Sequence, residues 1–198
     1  MNTLKNNLSD QLLLKRACDL AKLGEGKVSP NPLVGAVIAK DGKVIGEGWH
    51  NQYGQAHAEV NAVKDALQHS IPTFEETQLF VTLEPCTFHG KTPACTDLII
   101  EKKIPSIVIG GYDSTPQVFQ KSEKILNEHQ IQVSYLDSLH ETRMLNKYRK
   151  VNTLYQRPYI ILKYAQSADG FIGKENNRTK ISNPYTDRLV HRWRAECD

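Results

Sequence analysis

The run Leu33-Val34-Gly35-Ala36-Val37-Ile38-Ala39, the pair Asp41-Gly42 and the run Val44-Ile45-Gly46-Glu47-Gly48-Trp49-His50 decide the fold. The first run is apolar throughout, as a strand buried on both faces must be. Asp-Gly tolerates the positive φ angles of a two-residue hairpin turn, so the second run returns beside the first. Upstream, Leu12, Leu13, Ala17, Leu20 and Ala21 recur at helical spacing behind Ser9-Asp10, which predicts a capped helix ended by Gly24 and Gly26. Ser29-Pro30-Asn31-Pro32 then predicts a rigid extended loop that holds Asn31 in one orientation.

Downstream, Tyr53-Gly54 makes a loop, and a helix opens at His57 with Val60, Ala62, Val63, Ala66 and Leu67 on one side. Gln78 to Leu83 is a third strand, and Pro93 marks the first turn of a helix that carries Cys95, Leu98, Ile99 and Ile100. Ile107-Val108-Ile109 is a short apolar strand suited to the middle of a parallel sheet. A helix over 117–128, a strand over 131–135 and a helix over 138–150 follow. A hairpin followed by alternating helices and strands predicts a three-layer α/β/α sandwich with a mixed sheet. Near Gln156-Arg157-Pro158 the pattern restarts: a strand Tyr159 to Tyr164, a Ser167-Ala168-Asp169-Gly170 turn and an amphipathic helix ending at Trp193 and Arg194. This is the opening of a second domain, with 1–150 forming the first and 151–198 the linker and second.

His57 and Glu59 stand two residues apart, and Cys86 and Cys95 follow about one βα unit later. Imidazole and thiolate are ligands that zinc favours, and a catalytic zinc keeps one of its four positions open for water. His57, Cys86 and Cys95 supply three ligands, which leaves Glu59 as the proton carrier. Residues two apart in a helix interior point to different sides, so His57 must lie at the very start of its helix if Glu59 is to share the site. Helix N-termini favour negative charge and so help to hold both sulfurs as thiolates. The His-x-Glu, Pro-Cys and Cys pattern is that of the zinc deaminases. A structural zinc, with His89 as its fourth ligand, is the competing reading of the set.

Among 198 residues, 39% are hydrophobic and 24% charged, enough for a packed core, and the formal charge of +3 is too small to argue for nucleic acid. The basic clusters Lys147, Arg149, Lys150 and Arg188, Arg192, Arg194 read as solvated helix faces. Cysteines at 18, 86, 95 and 197 do not form a disulfide framework; no run is apolar enough for a signal peptide or membrane span. The expectation is a reduced, cytoplasmic, soluble protein.

Eight residues separate Cys86 from Cys95, including Gly90-Lys91-Thr92-Pro93, where cytidine and tRNA-adenosine deaminases place two. With Pro30-Asn31-Pro32, His57-Ala58-Glu59 and Val81-Thr82-Leu83-Glu84-Pro85-Cys86, the chain resembles the bifunctional riboflavin-biosynthesis deaminase/reductase family over essentially its whole length. The resemblance implies a cytidine-deaminase-like domain, followed by the first strand and helix of a dihydrofolate-reductase-like domain. It implies one zinc and hydrolytic deamination of 2,5-diamino-6-(5-phosphoribosylamino)pyrimidin-4(3H)-one at the C2 amine. Asn31 would hydrogen-bond the ring and Lys91, with His50, would meet the ribose phosphate; either His89 takes over the phosphate or ribose contact of the family histidine or that contact is missing. Lys163, Ala165, Asp169 and Arg194 match reductase positions around NADPH and substrate, a cofactor that belongs only to a complete reductase domain. Phe88 stands where the family has a histidine, and Lys180 where it has a tryptophan before Ile181-Ser182. The implied partner is a small phosphoribosylaminopyrimidine, not nucleic acid or membrane, with a homo-oligomer left open. A zinc deaminase acting on another base, nucleoside or tRNA, and a non-catalytic domain of this fold, are the alternatives.

Overall fold

In a computed structural model, the described residues are all but 1, 70–72, 91–92, 117, 137–138, 178, 196 and 198, with the side chains of 2–8 also excluded. The hairpin forms. Strands β1 (Gly35–Lys40) and β2 (Lys43–Trp49) pair antiparallel around Asp41 and Gly42, whose φ angles are 50° and 73°. With β3 (Gln78–Val81), β4 (Ser106–Ile109) and β5 (Gln132–Tyr135) they build one sheet in the order β2-β1-β3-β4-β5. β1 runs antiparallel to both neighbours, whereas β3, β4 and β5 are parallel, so the sheet is mixed.

Strand side chains alternate between faces, and that alternation sorts the core into two layers. Ala36, Ile38, Leu79, Val81, Ile107 and Ile109 pack toward α2 (Ala58–Gln68), α3 (Cys95–Glu101) and α4 (Lys121–Glu128). Val37, Ala39, Phe80 and Val108 pack instead on Leu13, Leu14, Ala17 and Leu20 of α1 (Asn2–Ala21). Full burial of each large aliphatic or aromatic side chain contributes about 1.5–3 kcal/mol, so both helix layers are held by the sheet they cover. Gly48 sets the closeness of one contact: a Cβ there would lie 2.3 Å from Ala62 N and 2.4 Å from Ala58 O. α2 therefore lies directly against β2, which fixes where its first turn emerges.

Several boundaries differ from the sequence expectation. α1 starts at Asn2, so Ser9 and Asp10 lie inside the helix and do not cap it. Their low interior propensity costs only a few tenths of a kcal/mol each, less than the burial of the leucines that follow. Ser29 to Pro32 turns where an extended loop is expected, because the Asn31 N–H donates to Val28 O at 2.8 Å. Pro93 precedes Ala94, the N-cap of α3, and so stands outside the helix. α4 starts four residues late, since Gln120 takes a left-handed φ of 57°. The helix expected over 138–150 is two, α5 (His140–Leu145) and α6 (Lys147–Tyr155). Asn146 at the break accepts from Leu33 N–H at 2.8 Å and donates to Leu33 O at 2.9 Å, and these long-range bonds replace the helical continuation.

The chain divides into two compact units, Met1–Arg157 and Pro158–Asp198. In the second unit α7 (Pro184–Ala195) forms, as does the turn, with the Gly170 N–H donating to Ser167 O at 3.0 Å. The strand expected over Tyr159 to Tyr164 does not form: the segment carries no ladder, and Leu162 is 85% exposed. A strand needs a neighbour to accept its hydrogen bonds, and the described residues of this unit supply only the isolated Lys174–Asn177 bridge. No helix among the described residues is long and apolar enough to cross a membrane.

Candidate functional site

Each candidate ligand stands at the end of an element. His57 is the extended residue before α2, with φ −73° and ψ 167°, which leaves Glu59 in the first turn. Cys86 lies past the end of β3 and Cys95 opens α3. His57 Nδ1 lies 3.3 Å from Cys95 Sγ and 3.5 Å from Cys86 Sγ, with all three donor atoms within 4.8 Å of one another. Tetrahedral zinc with nitrogen and sulfur bonds of about 2.1 and 2.3 Å separates nitrogen from sulfur by about 3.6 Å, so both His57–sulfur separations fit with shifts of a few tenths of an ångström. Among the described residues no further His, Cys, Asp or Glu joins the group.

The charges are arranged for a cation. The Cys95 thiol donates to Cys86 and, with His57 and the Cys95 N–H, holds Cys86 down at about 5 against its burial. That N–H lies 3.3 Å from Cys86 Sγ, so the first amide of α3 serves the other sulfur. Cys95 is pushed up in turn, as the donor of the pair. Glu59 is 3% exposed, and burial pushes its carboxyl up, as the Cys86 sulfur also does. A carboxyl placed so takes and returns a proton near neutrality more readily than an exposed one.

His57, Glu59 and Cys86 border a cavity of about 240 Å³, walled by Val34, Leu83, Phe88 and Val118 and reached by Asn31 and His50. His50 Nδ1 lies 3.1 Å from Ala56 O, which only accepts, so this nitrogen carries the proton. Nε2 then accepts from Asn31 Nδ2 at 3.1 Å, which leaves Asn31 Oδ1 for a ligand. Burial lowers the His50 pKa and keeps the ring neutral. His50 thus orients Asn31, with both its nitrogens engaged by protein.

The structure brings His57, Glu59, Cys86, Asn31 and His50 to one cavity, with Cys95 buried behind its wall and its sulfur grouped with the His57 and Cys86 donors. His89 is not among its walls: it is largely exposed and pairs with Asp97 Oδ2 at 3.0 Å. Lys91 lies outside the described residues. In the second unit Lys163 and Ala165 line a hollow with Ser182 and Trp193. Asp169 accepts from Ser167 Oγ in an exposed turn, and Arg194 is exposed in the last turn of α7.

The sequence reading missed Glu84, Asp113, Thr115 and Arg149, which also line the cavity. Glu84, 3% exposed, accepts from Gln120 N–H at 3.1 Å, Ser122 N–H at 3.3 Å and Ser122 Oγ at 2.9 Å. It ties the segment before Cys86 to the start of α4. Asp113 carried a usable signal, as a carboxylate just past the carboxyl end of a parallel strand. Arg149 carried none. It was expected on a solvated helix face, and the structure instead places it in the cavity wall.

Residues 8–111 match the family described as the cytidine and deoxycytidylate deaminase zinc-binding region. The fold and the His/Cys/Cys group therefore define a zinc-binding domain of the cytidine deaminase class. The diaminohydroxyphosphoribosylamino-pyrimidine deaminase of Buchnera aphidicola is 39% identical over 140 residues, 71% of this chain and 92% of that protein. The chain belongs to this deaminase family. The riboflavin biosynthesis protein RibD of Aquifex aeolicus is 37% identical over 189 residues, 95% of this chain and 52% of its own length. The crystal structure of a diaminohydroxyphosphoribosylaminopyrimidine deaminase/5-amino-6-(5-phosphoribosylamino)uracil reductase from Thermotoga maritima superimposes with a TM-score of 0.88 at 39% identity, over 96% of this chain and 54% of that one. The chain thus spans about half the length of the bifunctional relatives.

Proposed function

We propose that this chain catalyses the zinc-dependent hydrolysis of 2,5-diamino-6-(5-phosphoribosylamino)pyrimidin-4(3H)-one to 5-amino-6-(5-phosphoribosylamino)uracil and ammonia, a step of riboflavin biosynthesis. The observation that carries this reading is the three-donor group of His57, Cys86 and Cys95 with the buried Glu59 in the same cavity. The near full-length similarity to the Buchnera deaminase supports the substrate.

His57, Cys86 and Cys95 would hold the zinc, which would supply an acidified water as the nucleophile at neutral pH. Glu59 would accept the first proton of water and pass it to a ring nitrogen, then take the second from the hydroxyl newly attached to the ring carbon and give it to the departing amine, so that one C–O bond forms, one C–N bond breaks and ammonia leaves. Asn31, fixed by His50, presents its amide oxygen to the pyrimidine edge. Val34, Leu83 and Val118 keep bulk water from the ring, with Phe88 at the more open rim.

Pro158–Asp198 is read as the opening part of a reductase domain, to which Lys163, Ala165, Asp169 and Arg194 belong; its NADPH site requires the complete domain. Free thiols at a metal centre fit a reducing cytoplasm. The test is ammonia release by the purified protein, with zinc counted per chain. Turnover of the phosphoribosyl pyrimidine, with cytidine, dCMP and tRNA inert, is expected. Zinc without turnover of this pyrimidine refutes the proposal.

A further inference from the structure

Arg149 stands in α6 and reaches the wall formed by the loop after β4. Its Nη1 donates to Asp113 Oδ1 at 2.9 Å and its Nη2 to Thr115 Oγ1 at 2.5 Å. Asp113 Oδ1 also accepts from the Thr115 N–H at 2.8 Å and the Thr115 hydroxyl at 2.6 Å. The three residues therefore lock one another, and Arg149 is ordered before any ligand arrives. A guanidinium has five N–H donors and these contacts use two, so three remain for a ligand. The Asp113 side chain is 9% exposed and that of Arg149 25%, so the carboxylate is sealed while part of the cation stays open.

Arg149 is the one lysine or arginine among the described residues of the cavity wall. His50 offers no free N–H and is kept neutral, and His89 is engaged with Asp97 on the exterior. Glu59, Glu84 and Asp113 make the remaining wall charges acidic. A phosphate monoester entering such a cavity requires a fixed cation, and the planar fork of arginine meets two phosphate oxygens at once. Pre-ordering by Asp113 and Thr115 removes most of the conformational cost of that contact.

We propose that Arg149, oriented by Asp113 and Thr115, binds the substrate phosphate and selects the phosphorylated pyrimidine riboside over the free riboside. The assignment rests on the deaminase reading above and adds to it the group that reads the phosphate. The preference expected of that contact is about 30- to 100-fold, which converts to about 2–2.7 kcal/mol.

The experiment compares kcat and KM of the zinc-loaded wild type, Arg149→Met and Arg149→Lys on the phosphoribosyl substrate and on its dephosphorylated form. Arg149→Met is expected to raise KM for the phosphorylated substrate about 30- to 100-fold, with a far smaller change in kcat and on the dephosphorylated form. Arg149→Lys should recover part of the loss, since it restores charge without the fork. Equal losses on both substrates would assign Arg149 a purely structural part through Asp113 and overturn the proposal, as would an unchanged KM. Thermal stabilisation by ribose 5-phosphate, measured against ribose, separates this result from the chemistry. Stabilisation of the wild type that Arg149→Met abolishes, in a protein that releases no ammonia, upholds Arg149 as a phosphate site and sinks only the deaminase reading. Equal stabilisation of wild type and variant overturns the Arg149 assignment.

Discussion

Glu59→Gln separates proton transfer from metal holding. Glutamine has the size of glutamate, and position 59 is 3% exposed in the first turn of α2, so the substitution opens no void. The carboxylate is outside the three-donor group, so the variant should bind one zinc as tightly as the wild type. Burial disfavours the ionised carboxylate in the fold, and a neutral amide removes that penalty. The melting temperature should therefore stay level or rise. Loss of one general acid–base typically costs about 10²–10⁴-fold. The upper end applies here, because Glu59 acts in both directions of proton transfer and the other cavity carboxylates cannot replace it. Glu84 is held by Gln120 and Ser122, and Asp113 by Thr115 and Arg149. A fall of roughly 10⁴-fold in kcat corresponds to about 5.5 kcal/mol of transition-state stabilisation. The assay is ammonia release at saturating substrate, with zinc measured on the same sample. Activity within tenfold of wild type in the zinc-loaded variant would refute the assignment. Loss of zinc together with activity would refute it differently, by making Glu59 part of the metal site.

Three further perturbations test the surroundings. Glu84→Ala leaves the buried Ser122 amide and the half-buried Gln120 amide without their acceptor, and at about 1–3 kcal/mol for each unsatisfied group partly offset by water, unfolding in urea should show a loss of about 2–4 kcal/mol; an unchanged midpoint would deny Glu84 its structural role. Cys95→Ser keeps the shape of a fully buried side chain but removes one soft ligand, so chelator competition should show zinc affinity lowered by at least about 100-fold, and wild-type affinity would break the three-ligand set. Gly48→Ala places a methyl 2.3 Å from Ala62 N, and overpacking against backbone costs about 1–3 kcal/mol; a melting temperature equal to wild type would show that α2 can move away from β2 freely.

The elements that could be read from sequence are those whose cause is local. Asp41-Gly42 makes its turn because those two residues tolerate positive φ, and alternate residues of β1, β3 and β4 separate into two layers because strands have a period of two. The grouping of His57, Cys86 and Cys95, with Glu59 beside them, could be expected because ligand chemistry resides in residue type and needs little context, and the fold brings the three donor atoms within 4.8 Å of one another. What escaped depends on distant partners. The helix expected through 138–150 breaks at Asn146 because that side chain bonds Leu33, 113 positions away. The break starts α6, and three residues after it Arg149 meets Asp113, 36 positions away. The sequence alone reads Lys147, Arg149 and Lys150 as solvated helix charges, because nothing local marks Asp113 as the partner of Arg149. Tyr159 to Tyr164 escapes for the same reason in reverse, since strand propensity without a neighbouring edge yields no strand. Leu33 lies two residues from Asn31, whose amide is aimed by His50. A single pair of hydrogen bonds at Asn146 thus secures the loop that carries Asn31 and begins the helix that carries Arg149. The metal chemistry proposed for this site needs four residues of fixed type, whereas the selectivity proposed for it depends on where the chain crosses itself.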